Sequence, residues 1–492
     1  MKSILRSEYS KLFLLGMLLN LVAAWFSVGH NQGDEHFQIL EFANYKLGHS
    51  PAIDLPWEFI DKIRPGLQPF IAYCCIGTLQ FIGIHSPFII AFLFRLGISF
   101  LSWLVVCKLV MLLLPDFKTG RGRKLFVLLN LFLWFLPYLN VRFSSENTAS
   151  VSFLWAIYFL LKQYKSDTLK DSAFLAIGAL LSLSFFFRFQ MAFAFAGLGI
   201  WLLFIKRISF KNWFFLGLSF LAVSSICIYL DKWLYGTWEF TPYNYYYFNI
   251  VKGIAAGFGT APWWDYFATF FLVGIPPISL VLMAFLFVGV YKKPLNIFSF
   301  ILIPFVVAHS LVAHKEMRFL IPMIFPFLYM VSIATDYFIA TYKPGKIYTY
   351  SFKVLVVVNF LMMIYRTLIP AQDALPYFRY VHKNLQKNPT TILCLQEPLF
   401  SLYGLKMNFY KPANINELVF KDEDTLSAYV VASKEDSVII FQRKAFLPAK
   451  LTGYASKRIY TFYPEWLLKY NINHWEDRAN IWSIYVVYKK PR

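Results

Sequence analysis

The feature that most constrains this chain is the recurrence of apolar stretches on the scale of a bilayer crossing, about 20 residues. They fall at 11–29, 67–114, 125–140, 149–163, 172–205, 212–230, 265–290, 296–313, 318–338 and 351–369. Lipid offers no partner to a backbone N–H or C=O, so such stretches must be helical. Of the 492 residues 58% are hydrophobic and only 15% charged, with 54 Phe. That is more apolar surface than one water-soluble core buries, and the expected class is an all-α polytopic membrane protein.

The formal net charge of +20 raises nucleic acid as a partner. Its placement excludes it. Lys and Arg gather in short runs between apolar stretches, at 118–124, 206–211, 292–293 and 343–346. No run has the density or aromatic interleaving of a nucleic-acid groove. The pattern is that of loops held on the cytoplasmic side, drawn to anionic lipid phosphates. With the N-terminus and these four loops inside, 67–114 must cross an odd number of times, either once beside a membrane-lying helix or three times. The expected total is 11 to 13 spans. Arg188, Phe189 and Gln190 interrupt 172–205, which reads as a hairpin of two short helices. On this parity the polar segments 30–66, 141–148, 188–190, 231–264, 314–318 and 370–492 all lie on the non-cytoplasmic face.

Two domains are expected. Residues 1–370 form the membrane part, with 30–66 as its first outer loop. Residues 371–492 are as polar as a soluble domain, with strand-like runs at Thr390–Leu395, Tyr429–Ala432, Ser437–Gln442 and Ile484–Tyr488 and a helical pattern at Ala374–Leu385. They read as a small α/β domain. Residues 11–29 read as an uncleaved first helix and not a signal peptide. The five cysteines show no CxxC and no metal-ligand spacing, and read as small hydrophobes.

Polar residues at span ends are the candidates for chemistry. Gly33-Asp34-Glu35-His36-Phe37-Gln38 follows the first apolar stretch. Acidic side chains are costly beside hydrocarbon, and one partly removed from water makes a usable general base. Such pairs also occur in plain solvated loops, and spacing alone leaves both readings open. Pro56-Trp57-Glu58-Phe59 and Arg64-Pro65-Gly66 come next. His314-Lys315-Glu316-Met317-Arg318-Phe319-Leu320-Ile321-Pro322 packs four ionisable side chains into five residues between two spans. His314, Lys315 and Arg318 could hold a phosphate, or snorkel from helix ends. Arg142, Glu146 and Asn147 form a compact outer loop, Arg188 marks a hairpin tip, and Trp263 and Trp264 could stack on sugar rings or mark an interface.

In their order and approximate spacing, the Gly-Asp-Glu-His-Phe-Gln stretch, the Trp-Glu and Arg-Pro stretches and His-Lys-Glu-x-Arg-Phe-Leu-x-Pro resemble glycosyltransferase family 22 across residues 30–325. This family includes the dolichyl-phosphate-mannose α-mannosyltransferases of N-glycan precursor and GPI-anchor assembly. The resemblance implies a GT-C fold, a polyprenyl-phosphate sugar donor, a glycan or glycolipid acceptor and inversion at the anomeric carbon. Asp34 matches the family's catalytic carboxylate and Glu35 its neighbour, although Gly33 stands where relatives more often carry Pro. Arg142 and Asn147 loosely match an Arg-Thr-x-x-Asn-like stretch. Donor-phosphate binding is the role implied for His314, Lys315 and Arg318. No metal or other cofactor is expected. A transporter or lipid flippase is the alternative, but its ionisable residues should lie near mid-membrane in broken helices. The lack of an Asn-x-Ser/Thr acceptor in the outer segments, and the short loops, point to a bacterial plasma membrane over an endoplasmic-reticulum one.

Overall fold

The computed structural model describes residues 2–165, 170–343 and 345–488; Pro344, inside one basic run, lies outside them. Among the described residues, five helices are long and apolar enough to cross a membrane: Pro87–Asp116, Phe189–Lys206, Phe210–Tyr235, Met317–Thr341 and Thr349–Leu368. Five more are apolar but shorter: Ser10–Phe26, Leu67–Phe81, Asp171–Phe187, Ile278–Lys292 and Ile297–Leu311. The chain is an integral, multi-pass membrane protein. At 1.5 Å per residue the shorter helices reach about 22–26 Å, less than the roughly 30 Å hydrocarbon core. Against the 11 to 13 expected crossings, the described residues thus hold five helices of spanning length and five shorter apolar ones. The 67–114 stretch resolves into a 15-residue helix, Leu67–Phe81, and a 27-residue one, Pro87–Leu113. The 172–205 stretch breaks at Arg188, whose backbone is extended between Asp171–Phe187 and the turn Phe189–Met191.

The chain divides into two compact units. The first comprises Met1–Glu35, Trp57–Ile76 and Ala91–Pro370. Its interior is aromatic, with Phe126, Phe153, Phe298 and Tyr329 buried in one cluster. Small residues let its helices approach closely: a Cβ on Gly178 would lie 2.1 Å from the Leu216 carbonyl oxygen, so Asp171–Phe187 and Phe210–Tyr235 pack almost backbone to backbone.

The second unit comprises His36–Pro56, Gly77–Ile90 and Ala371–Arg492. Its strands are β1 (Thr390–Leu395), β2 (Ser401–Leu402), β3 (Leu405–Lys406), β4 (Ile415–Phe420), β5 (Ser437–Gln442), β6 (Ala455–Thr461) and β7 (Ser483–Tyr488). The main sheet runs β4-β1-β5-β7-β6, with β1 parallel to β4 and β5, and β7 antiparallel to β5 and β6. Tyr429–Ala432 is not a strand. It closes the helix Glu423–Ala432, where Asp422 caps the first turn by accepting from the Thr425 N–H at 2.8 Å, and that cap outweighs the β-branched run. Glu41, 2% exposed, holds the first-loop segment in this unit. Its carboxylate accepts from Ser50 Oγ at 3.0 Å and the Phe409 N–H at 2.9 Å, and pairs with His36 Nε2 at 2.8 Å.

Candidate functional site

The site belongs to the first unit and begins with the turn that follows Ser10–Phe26. Arg142 holds this turn from beneath. Its guanidinium donates to the Ser27 carbonyl at 2.7 Å, Gly29 at 2.9 Å and Tyr138 at 3.1 Å. Asn147 in turn donates to the Asn140 and Arg142 carbonyls at 3.2 and 2.9 Å. Read from sequence as possible substrate contacts, both residues instead fix loop backbone. Tyr138 adds a bond from its hydroxyl to Asn31 at 2.7 Å, and the Asn31 N–H donates to Glu35 at 3.2 Å.

Asp34 and the His314–Arg318 segment, 280 and more residues apart, meet through Arg318. One arm of its guanidinium donates to Asp34 Oδ2 at 2.8 Å. The other edge grips Glu316 at 2.7 and 2.9 Å, a bidentate pair. Glu146 lies 3.6 Å away and is itself paired with Arg188 at 2.8 Å. Arg64 approaches Asp34 at 3.5 Å and Glu58 at 3.8 Å. His314 contacts Glu316 at 3.1 Å and the Gly259 carbonyl at 3.0 Å.

These groups open on a cavity of about 610 Å³ lined by Asp34, Glu58, Arg64, Arg188, His314, Glu316 and Arg318, with Phe189, Tyr245 and Phe319 among its aromatic walls. Both its size and its few convergent polar groups suit a small-ligand site. Other expected members stand apart. Lys315 donates to the Ala261 and Val312 carbonyls at 2.8 and 2.6 Å, capping backbone, and does not line the cavity. Trp263 and Trp264 are 65% and 50% exposed and lie outside its lining. Glu35 and Glu146 are not among its lining residues.

Arg64 was legible only as part of a motif; its placement depends on residues that no local pattern marks. The Gly66 N–H donates to Asp231 at 2.7 Å, Thr241 bonds the same carboxylate at 2.6 Å, and the Tyr235 hydroxyl donates to the Arg64 carbonyl at 2.7 Å. Gly66 is obligatory for this approach, since a Cβ there would lie 2.4 Å from the Leu230 carbonyl oxygen.

The electrostatics separate the two adjacent acids. Burial would raise the Asp34 carboxyl, but the Arg318 and Arg64 guanidiniums outweigh it and hold it below the usual carboxylate range. Glu316 behaves likewise, burial being outweighed by its bonds to Arg318. Glu35 goes the other way. Burial pushes it up to about 7, with Arg142 opposing and Glu146 adding to the rise. A folded-state value above the unfolded one means that the ionised form is disfavoured in the fold. Stability is full below the unfolded value of about 4.3 and declines as pH climbs through about 7. Glu35→Gln is therefore expected to flatten that decline, gaining on the order of 1–3 kcal/mol over the parent at pH 8. Thermal unfolding in detergent between pH 5 and 8 checks this; parallel curves would overturn it.

A family model described as the Alg9-like mannosyltransferase family matches residues 11–402. The chain is 28% identical over 330 residues to GPI mannosyltransferase 3 of Candida albicans, covering 65% of this chain and 63% of that one. It is 23% identical over 397 residues to GPI alpha-1,2-mannosyltransferase 3 of Bos taurus, covering 76% and 69%. The chain thus spans less than two thirds of the Candida relative's length. Among solved structures it is similar to ArnT from Cupriavidus metallidurans bound to undecaprenyl phosphate, with a TM-score of 0.56 at 11% identity over 98% of each chain. That likeness shows the GT-C fold. With more than half of its length matched by one family model, the chain belongs to the Alg9-like mannosyltransferase family.

Proposed function

We propose that this protein transfers a mannosyl group from a polyprenyl-phosphate donor to a hydroxyl of a glycan or glycolipid acceptor on the non-cytoplasmic face, with inversion. The observation that carries the reading is Arg318. One guanidinium joins Asp34 to Glu316 at the wall of a cavity large enough for a sugar. In the reaction the acceptor oxygen attacks the anomeric carbon from the face opposite the phosphate. The bond from that carbon to the phosphate oxygen breaks, its electron pair leaves with the lipid phosphate, and Asp34 takes the acceptor's proton. The transition state has oxocarbenium character. A phosphate needs no proton to leave, and its growing charge would meet Arg318, Arg64 and His314. No step is assigned to a metal.

Arg318 has a second consequence. While it is paired to Asp34 it keeps that carboxylate a weak base. A donor phosphate that recruits the same guanidinium loosens the pair and strengthens the base only when a donor is present. The matched Candida and bovine relatives are named as GPI mannosyltransferases and ArnT as bound to undecaprenyl phosphate, which supports this donor and acceptor class. The test uses right-side-out and inverted vesicles, a panel of labelled polyprenyl-phosphate sugars and a membrane-impermeant acceptor. Transfer is expected from the mannosyl donor, with acceptor supplied to the non-cytoplasmic side. Transfer only in inverted vesicles would reverse the face. No transfer from any donor would sink the enzymatic reading.

A further inference from the structure

Two residues lining the cavity of Asp34 and Arg318 each carry a buried nitrogen with no hydrogen-bond partner among the described residues. The first is His309, 3% exposed, in the last turn of the helix Ile297–Leu311. Its ring centre lies 4.2 Å from that of Phe305 and, edge-on, 5.6 Å from that of Phe193. Nδ1 lies 2.8 Å from the Phe305 carbonyl. A carbonyl only accepts, so Nδ1 carries the proton, and the neutral ring presents the unpartnered Nε2 as an acceptor. Packing between two phenylalanines asks only for an apolar ring, and does not account for this nitrogen. The second residue is Arg188, 5% exposed. Its guanidinium is engaged by Glu146 at 2.8 Å and Ser145 at 3.2 Å, which leaves the Nε–H as an unused donor. The guanidinium carbon lies 4.7 Å from the centre of the Phe319 ring, and the His309 ring centre 6.3 Å from the same point. An acceptor and a donor thus stand against one aromatic side chain in the wall of one cavity. Buried polar atoms are seldom left unpaired, and at a cavity wall the partner is supplied by what fills the space.

We propose that His309 and Arg188 determine which sugar is transferred: Nε2 accepts from one ring hydroxyl, and the Arg188 Nε–H donates to a hydroxyl beside it. A hydroxyl both donates and accepts, so two neighbouring hydroxyls satisfy both nitrogens. The ionised phosphodiester of the donor only accepts, and cannot serve Nε2. The sugar of the donor is assigned here, and not that of the acceptor, because of Glu146. It lies 2.8 Å from Arg188 and 3.6 Å from Arg318, so one carboxylate links this wall to the guanidinium given above to the phosphate. A phosphate on Arg318 brings its own sugar to His309 and Arg188. Sites built to bond a hydroxyl discriminate strongly against an analogue that lacks it, since their buried groups are then left unpaired. The assignment rests on the mannosyl donor proposed above, but its test does not depend on turnover.

Binding of undecaprenyl-phosphate mannose, and of undecaprenyl phosphate free of sugar, is measured on the purified full-length protein. His309→Leu is expected to weaken the mannosyl lipid at least about fivefold, the usual worth of a hydrogen bond. It should leave the bare lipid phosphate unchanged, which also shows that the variant is folded. His309→Gln, whose amide oxygen can accept in place of Nε2, should recover part of the loss. Arg188→Lys keeps a charge for Glu146 but has no Nε–H, and should show the same loss, limited to the sugar-bearing lipid. In a set of mannosyl lipids each lacking one ring hydroxyl, one should bind the parent and His309→Leu alike, because it lacks the group that Nε2 receives. Equal weakening of the bare lipid phosphate would overturn the proposal, as would a His309→Leu loss that persists with every deoxy sugar. If the binding pattern holds while no donor in the panel is turned over, the mannosyl-transfer reading fails and the sugar seat stands. Normal turnover with binding indifferent to His309→Leu would sink the sugar seat alone.

Discussion

Asp34→Asn is expected to lower kcat by 10²–10⁴-fold, the range typical for loss of a positioned general base. The amide keeps the size and planarity of the carboxyl but cannot take the acceptor's proton. Arg318 keeps Glu316 and Glu146 as partners, so the fold should tolerate the change. Donor affinity should hold or tighten, because a guanidinium freed from Asp34 is more available to phosphate. The pH profile offers a second reading. With its carboxyl held low by Arg318 and Arg64, the free enzyme should keep the acid limb of kcat/KM below about pH 4. Near-normal turnover in the variant would move the base elsewhere, with Glu316 next in line on the same cavity.

Arg318→Gln is expected to be the most damaging change. It removes the one group that contacts Asp34, Glu316 and Glu146 together, and leaves them only Arg64, His314 and Arg188 respectively. Because those partners remain and Asp34 and Glu316 are about a quarter exposed, the cost in stability should stay below the roughly 3–5 kcal/mol of a fully buried pair broken outright. Loss of the charge-assisted bond should also weaken the donor by ten- to hundred-fold, at about 1.5–3 kcal/mol. Arg318→Lys should rescue charge but not the fork onto Glu316, and so recover only part of both. Lys315→Gln is the informative neighbour. Its ammonium caps the Ala261 and Val312 carbonyls, so its loss should affect stability more than donor KM. Equal effects on donor KM at 315 and 318 would mean that the cluster anchors the segment and does not hold phosphate.

The membrane class was legible because twenty-residue apolarity has no other economical explanation, and the His314–Arg318 segment because charge crowded between spans is rare. Sequence could not tell Lys315 from Arg318, two basic residues three apart. The outcome depends on which backbone carbonyls remain open nearby, a tertiary fact. Arg142 misled for the same reason, since a long buried guanidinium serves loop carbonyls as well as it serves a ligand. Arg64 was visible as a triplet, yet its role depends on Asp231 and Thr241, some 165 residues on. In the second unit, β1, β5 and β7 were legible from β-branched runs. Strands β4 and β6 were not, because charged residues such as Glu417 and Arg458 break the alternation.

The ion pairs around Arg318 also bear on how the enzyme lets go. Four carboxylates, of Asp34, Glu58, Glu146 and Glu316, stand against three guanidiniums, of Arg64, Arg188 and Arg318. The proposed donor is a phosphodiester with a single negative charge; the lipid phosphate left after transfer is a monoester that gains a second as pH rises through about 6. A surplus of acid therefore tolerates the donor and repels the spent lipid more strongly with each proton it loses. On the proposed reaction the site's own charge favours product departure, and inhibition by free polyprenyl phosphate should weaken from pH 5.5 to 8.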